Sequence, residues 1–438
     1  MTDARTDFAR DLTVLSRRGA LLAAAGLGLT VEFLGRRAFG AAAGLDHRKL
    51  VVVICRGGMD GLSVSPPVGD PNYAQLRGPI AIPGFGQPGG ALKLDETFGL
   101  HPALASVYRL AQKGEARIAP SVATPDRARS HFEAQDVLES GGTVVYGTSS
   151  GWLNRALGAM PGQAKAISVG PTAPLILRGN IEAASWSPGT GAERDTRLPG
   201  ILQDLYANDP LLGRALASGL STQSMAKVAT ADAQTTLSQP DAMAGGDAAT
   251  MNQANAGGAA LAPVLRQGLP AARQLGATLA GFMIQSGGPQ VAAVSLDGFD
   301  THANQGSSQG QLATRLAYLD AVLDGLSSGL GDSWKDTAIV VVTEFGRTAR
   351  VNGTGGTDHG TASTALLLGG ALKKGGIVGD WPTLQSAKLF ENRDTAPTLD
   401  MRGLFKGLLT EHLGVERRAL DTTVFPDSAA VAPASGIV

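Results

Sequence analysis

Residues 337–360 read TAIVVVTEFGRTARVNGTGGTDHG, and the change of character inside that stretch decides the fold class. Ala338–Val342 is an uninterrupted apolar run, mostly β-branched, the pattern of a strand buried on both faces in a parallel sheet. The polar residues Glu344, Arg347, Asp358 and His359 follow, in a loop whose glycines (Gly346, Gly353, Gly355, Gly356 and Gly360) allow backbone shapes that side chains forbid. Ligands of open α/β sheets collect beyond the carboxyl ends of the strands. An active site is therefore expected at this strand end.

Working outward, the same pattern recurs. Val291–Leu296 is a core-strand run that ends in Asp297-Gly298-Phe299-Asp300-Thr301-His302-Ala303-Asn304. Leu312, Leu316, Leu319, Leu323 and Leu326 then recur on one helical face, so strand, polar turn, helix and strand form a repeating α/β unit with a right-handed crossover expected. Leu50–Cys55 is a further buried strand, and it runs into Arg56-Gly57-Gly58-Met59-Asp60-Gly61. Asp60 is placed there either to offer a metal a hard oxygen or to satisfy turn amides. Ala116–Pro120 reads as a short strand before Arg127-Ala128-Arg129-Ser130-His131-Phe132-Glu133, where Ser130 and Glu133 have the spacing of a capping box. A serine at a helix N-terminus also faces free amides and a positive dipole end, which favour an anionic substrate.

Elsewhere Leu104–Lys113, Trp152–Leu157 and Met401–Leu413 read as helices, the last capped by Thr398 or Asp400. Ala166–Val169, Leu175–Leu177 and Thr364–Leu368 read as strands, and the tail after Ala429 as frayed. The fold class is thus α/β, a mostly parallel sheet sandwiched between helices. Residues 44–438 are expected to form one domain, with a low-complexity insertion near 218–260 that holds few large apolar residues.

The chain has 438 residues, of which 43% are hydrophobic and 17% charged, with 59 glycines. Ser16-Arg17-Arg18 precedes the 13-residue apolar run Gly19–Val31, and Ala41-Ala42-Ala43 offers a cleavage site. That run falls short of the roughly 20 residues needed to span a bilayer. Residues 1–43 therefore read as an export signal of the twin-arginine type, to be handled by the twin-arginine export machinery. The expected location is periplasmic or secreted, with no stable membrane span after processing. Removing those residues takes away six arginines and four acids, which moves the formal charge from −1 to −3. No basic surface argues for nucleic acid. The single cysteine, Cys55, cannot form an internal disulfide and sits on an apolar strand as a core residue.

Among six histidines, His131, His302 and His359 all lie in polar segments after candidate strands, alongside the carboxylates Asp60, Asp300, Glu344 and Asp358. That clustering points to a centre of nitrogen and oxygen ligands for zinc, manganese or another divalent ion. Five motifs also carry a family resemblance: RGGMDGL at Arg56–Leu62, RSHFEAQD at Arg129–Asp136, GFDTHANQ at Gly298–Gln305, TEFGRTAR at Thr343–Arg350 and GGTDHGTAS at Gly355–Ser363. Together they resemble the bacterial family called domain of unknown function 1501, which in turn resembles the alkaline phosphatase-like superfamily.

The resemblance implies an alkaline phosphatase-like core and a metal-dependent hydrolase of phosphate or sulfate esters. It implies Ser130 as nucleophile and Asp60, Asp300, His302, Glu344 and His359 as ligands of one or two ions, with Asp358 as a substitute ligand. Phe345 departs from that pattern, because a ligand histidine is often found at its place. Arg347, and beside it Arg129, are candidates to grip the anion, or else to pair with nearby carboxylates. His131 is a candidate to orient the nucleophile or donate a proton. The alternative is a non-catalytic exported module that binds a cell-envelope component through a degenerate site.

Overall fold

Strand-forming runs buried on two faces need helices above and below them, and the computed structural model has that arrangement. It describes residues 47–162, 164–170, 173–187, 212–238 and 263–438, together with 31, 32, 45, 206 and 209. Nearly all of the expected export segment, and the part of the low-complexity insertion beyond residue 238, lie outside the described residues.

The sheet strands are β1 (Val31–Glu32), β2 (Lys49–Cys55), β3 (Ala116–Ala123), β4 (Ala166–Val169), β5 (Ala183–Trp186), β6 (Val291–Leu296), β7 (Thr337–Val342), β8 (Ser363–Leu368) and β9 (Leu399–Asp400). Their order across the sheet is β1-β5-β4-β6-β2-β7-β8-β3-β9. Pairing is parallel from β5 through β7 and between β3 and β9, and antiparallel where β8 meets β7 and β3 and where β1 meets β5. Strand β2 lies between two parallel partners, with Val53 opposite both Val294 and Val341.

Period-two alternation divides the core into two layers. Leu50, Val52, Ile54, Ala338, Val340 and Val342 point into one, with residues of α2 (His131–Ser140), α3 (Trp152–Ala159) and α7 (Met401–Leu413). Val51, Val53, Cys55, Ile339 and Val341 point into the other, with residues of α1 (Ala105–Gln112), α4 (Leu212–Ser238), α5 (Pro263–Ile284) and α6 (Gln311–Leu330). Helix α7 begins where expected, with the Asp400 carboxylate accepting the Arg402 amide at 2.8 Å.

Three expectations are corrected. Leu175–Leu177 is a 3-10 turn, not a strand. Its polar backbone is satisfied by side chains, since Glu139 accepts the Ile176 amide and Asn154 donates to the Leu177 carbonyl. Strand β3 runs on through Pro120 to Ala123, and the register shift between Ser363 and Ala365 falls opposite this stretch, where proline has no N–H to give to the ladder. The tail is docked, not frayed: Glu411 accepts the amides of Gly436, Ile437 and Val438, and Ile437 is buried.

Because β8 is antiparallel to both neighbours, the carboxyl ends of β2, β3, β6 and β7 and the start of β8 share one edge. The segments holding Asp60, Ser130, Asp300, Glu344 and His359 all leave or approach the sheet there.

Two buried histidines are held neutral. Burial pushes His101 and His412 down to about 4, against the partial support of hydrogen bonds to the Ser307 and Lys49 carbonyls. The unfolded chain binds more protons than the folded one between about 4 and 6.5. The stability these residues allow is complete above 6.5 and falls as pH drops through that window, by on the order of 2–3 kcal/mol each. Urea unfolding at pH 7.5 and pH 5 is expected to show a lower midpoint at pH 5, with a smaller difference in His412→Gln.

Candidate metal centre

Three loops meet at this edge because their backbones come unusually close. Gly57 has φ +115°, and a Cβ there would lie 2.5 Å from the Asp300 amide nitrogen; Gly58 has φ +63°, and a Cβ there would run into the Phe345 ring. Glycine is what both positions require. Arg347 then binds the loops together. Its Nε donates to the Gly58 carbonyl, Nη1 to that of Thr357, and Nη2 to those of Gly57 and Phe299 and to the Asp300 carboxylate.

Asp300 is the acid at the centre of the cluster. Its Oδ1 lies 3.0 Å from His302 Nε2 and 3.4 Å from His359 Nε2, and its Oδ2 lies 3.3 Å from His131 Nε2. Burial works against its charge, but the Arg347 hydrogen bond and charge outweigh that and hold its carboxyl below the usual range. His302 Nε2 is 2.9 Å from His359 Nε2. One oxygen or nitrogen from each of His131, Asp300 and His359 lies within 4.8 Å of the other two.

Hydrogen bonding on the far side of each ring decides which nitrogen faces inward. His359 Nδ1 donates to the Arg129 carbonyl at 2.8 Å, and His131 Nδ1 donates to Glu344 Oε1 at 2.8 Å. Both Nε2 lone pairs therefore point at a carboxylate. Electron-rich atoms facing one another need a proton or a cation between them. His131 Nε2 is buried and makes no hydrogen bond, so the residues fit a divalent ion on nitrogen and oxygen ligands. His131, Asp300 and His359 would hold it, with His302 beside them. The Phe345 ring packs on His131 and His359, with centroids 4.9 and 4.7 Å away.

Glu344, expected as a ligand, lies behind the cluster instead. It is fully buried, and its carboxylate accepts the Gly57 amide at 2.8 Å, His131 Nδ1, Gln135 Nε2 at 3.2 Å and the Thr343 hydroxyl at 2.9 Å. Burial alone would raise its carboxyl, but those hydrogen bonds, His131's first, bring it down to about 2. A carboxylate in that position fixes the tautomer and angle of a ligand histidine. In return the Glu344 hydrogen bond, outweighing burial, raises His131 above the ordinary imidazole value.

The other expected site residues divide. Asp358 stands behind His302, 3.4 Å from its Nδ1, and is held by Asn352 Nδ2 at 3.0 Å. Ser130 immediately precedes α2 and makes no capping hydrogen bond, so the capping box does not form. Asp60 is not brought to the cluster. It is buried in an ion pair with Arg77 and accepts from Ser63 at 2.8 Å and Gln305 at 2.6 Å. The Arg347 guanidinium is consumed by the loops and is not free to grip an anion. Arg129 is paired through Nη2 with Glu391 and Asp394, at 2.6 and 2.8 Å, while its Nε makes no hydrogen bond. The sequence placed His131 in the histidine cluster but gave it an orienting or proton-donating part, and it left out Gln135, which shares the Glu344 carboxylate with His131. Their i, i+4 spacing, which puts both on one face of α2, was the available signal.

A family model described as "Protein of unknown function (DUF1501)" matches residues 47–424. No curated protein matches the chain. Among solved structures, two crystal structures of a protein named Ps i-CgsB are similar to this chain, one of them in complex with k-i-k-neocarrahexaose. They share 10% and 8% identity at TM-scores of 0.34 and 0.36, and each comparison covers 87% of this chain and 76% of the other. Likeness at that level carries no argument about this chain.

Glu344→Gln keeps the shape of the side chain but removes the charge that steadies His131. Metal affinity, measured by competition with a chromogenic chelator, is expected to fall by about 10- to 100-fold. Unchanged affinity in a folded Glu344→Gln protein would mean that His131 is not a ligand.

Proposed function

The chain belongs to the DUF1501 family, and we propose that this member is an exported metal-dependent hydrolase of phosphate or sulfate esters with an alkaline phosphatase-like core. One observation carries the reading: His131, Asp300 and His359 present ligand atoms within 4.8 Å of one another at the carboxyl edge of the sheet. Ser130 stands directly before the first of them.

Each residue has a part that follows from its surroundings. Asp300, kept ionised by Arg347, supplies the negative charge of the centre. Glu344 holds a proton on His131 Nδ1 and so leaves Nε2 free to coordinate. A zinc or manganese ion on these ligands would draw charge from the ester's oxygens and ease departure of the leaving group. The Ser130 hydroxyl, unspent on capping, is the nucleophile. The N-terminus of α2 adds a positive dipole end for the anion. Among the described residues the close donor set is His131, Asp300 and His359, and Asp60 is sealed in its pair with Arg77, so this reading takes one ion.

A second reading, a non-catalytic module that binds a cell-envelope anion, is favoured by one feature. The Arg347 guanidinium is spent on loop carbonyls and Asp300, so it is not available to stabilise charge that develops in a transition state.

Purified mature protein is expected to hold about one equivalent of zinc or manganese and to hydrolyse aryl phosphates or sulfates. Ser130→Ala should then lower turnover by about hundredfold or more at unchanged metal content. Bound metal without turnover on either ester class would favour the binding module.

Export follows from the arginine pair. Among the described residues no helix is long and apolar enough to cross a membrane. Replacing Arg17 and Arg18 by lysine is expected to leave the precursor in the cytoplasm, as read by cell fractionation; full secretion of the variant would rule out the twin-arginine route.

A further inference from the structure

Five large hydrophobic side chains are exposed among the described residues, and three of them fall within fifteen positions that begin directly after His131. Phe132 is 81% exposed, Tyr146 71% and Val144 68%. Phe132 follows His131 directly in the first turn of α2, so its Cα is about 3.8 Å from that of a metal ligand. Asp136 is one helical turn further along the same face. Its largely buried carboxylate accepts the Tyr146 amide at 2.7 Å, which fastens the following loop against that face of α2.

The loop is held in a costly shape. Tyr146 has φ 56°, a left-handed conformation that bulky side chains avoid. The Asp136 bond and the Gly147 amide's return to the Val144 carbonyl at 3.0 Å keep it there. Loop tips are ordinarily polar, and an aromatic residue set out in solvent at the expense of backbone strain points to a binding role. One ring on a helix and one on a fastened loop lose little freedom when they are covered.

We propose that Phe132 and Tyr146, edged by Val144, form an aromatic platform for the ring-bearing part of an ester substrate, aryl or pyranose, whose anionic group sits at the metal centre. The proposal rests on the hydrolase reading for the identity of that anionic group. An ester anchored between Ser130 and His131 has its organic part directed outward, and Phe132 is the next residue along. Aromatic faces offer a planar or pyranose ring a large apolar contact that a small alkyl group cannot fill.

The test uses Phe132→Gln, which suits an exposed helix, and Tyr146→Asn, which suits the left-handed backbone. Metal content is measured first and is expected to be unchanged. The ratio of kcat/KM for nitrophenyl phosphate or a hexose phosphate to that for methyl phosphate should fall about tenfold in the double variant, and the corresponding sulfates behave alike. A fall confined to the aryl or to the hexose ester identifies the ring. An unchanged ratio overturns the platform.

If the wild-type protein turns over no ester, the hydrolase reading fails, and titration calorimetry of the metal-loaded protein with the same ring-bearing esters still decides the platform. Binding that weakens about tenfold in the double variant supports it. Equal binding, or none by the wild-type protein, overturns it.

Discussion

The Arg347 guanidinium is the contact on which the site depends. It is buried beneath three loops that leave different strands, and it donates to carbonyls in each as well as to Asp300. Those loops carry no regular hydrogen-bond ladder of their own, so their carbonyls need a donor at this depth. A planar fork with five N–H groups supplies one that a lysine could not. The cost of burying the cation is offset by the Asp300 carboxylate. The same carboxylate turns its other oxygen to His131. Loop cohesion and the charge of the centre are therefore a single device.

A comparison within the molecule shows how burial decides what an acid can do. Asp60 and Asp300 each pair with a buried arginine at the same sheet edge. The Asp60 side chain is 1% exposed and enclosed by Arg77, Ser63 and Gln305, whereas that of Asp300 is 42% exposed and faces three imidazoles. The enclosed pair cements the loop after β2. The open one has coordination left to offer.

The strands were legible in the sequence for a simple reason. Ala338–Val342, Leu50–Cys55 and Val291–Leu296 are apolar runs with polar ends, and a strand buried on both faces needs nothing else. Leu175–Leu177 has the same composition in miniature, yet Pro174 and the side chains of Glu139 and Asn154 satisfy it as a turn. The tail misled for the opposite reason, because the Glu411 carboxylate that holds it lies in a helix twenty-five residues upstream. Within the site, residue type announced polarity but not partners. Glu344, Arg347 and Asp60 were all recognisable as functional-looking groups. Whether each faces an ion, a backbone carbonyl or a buried guanidinium depends on partners as distant as Arg77, 17 positions from Asp60, and Gly57, 290 from Arg347, which no local pattern records.

Cys55 ends β2 between two parallel neighbours, fully buried, its thiol pushed well above the ordinary value by burial and then by the nearby Glu344 charge. It is the sole sulfhydryl in the chain. An alkylating reagent can reach it only when the middle of the sheet opens, so its modification rate in native buffer counts rare whole-molecule openings, without a denaturant or an attached dye.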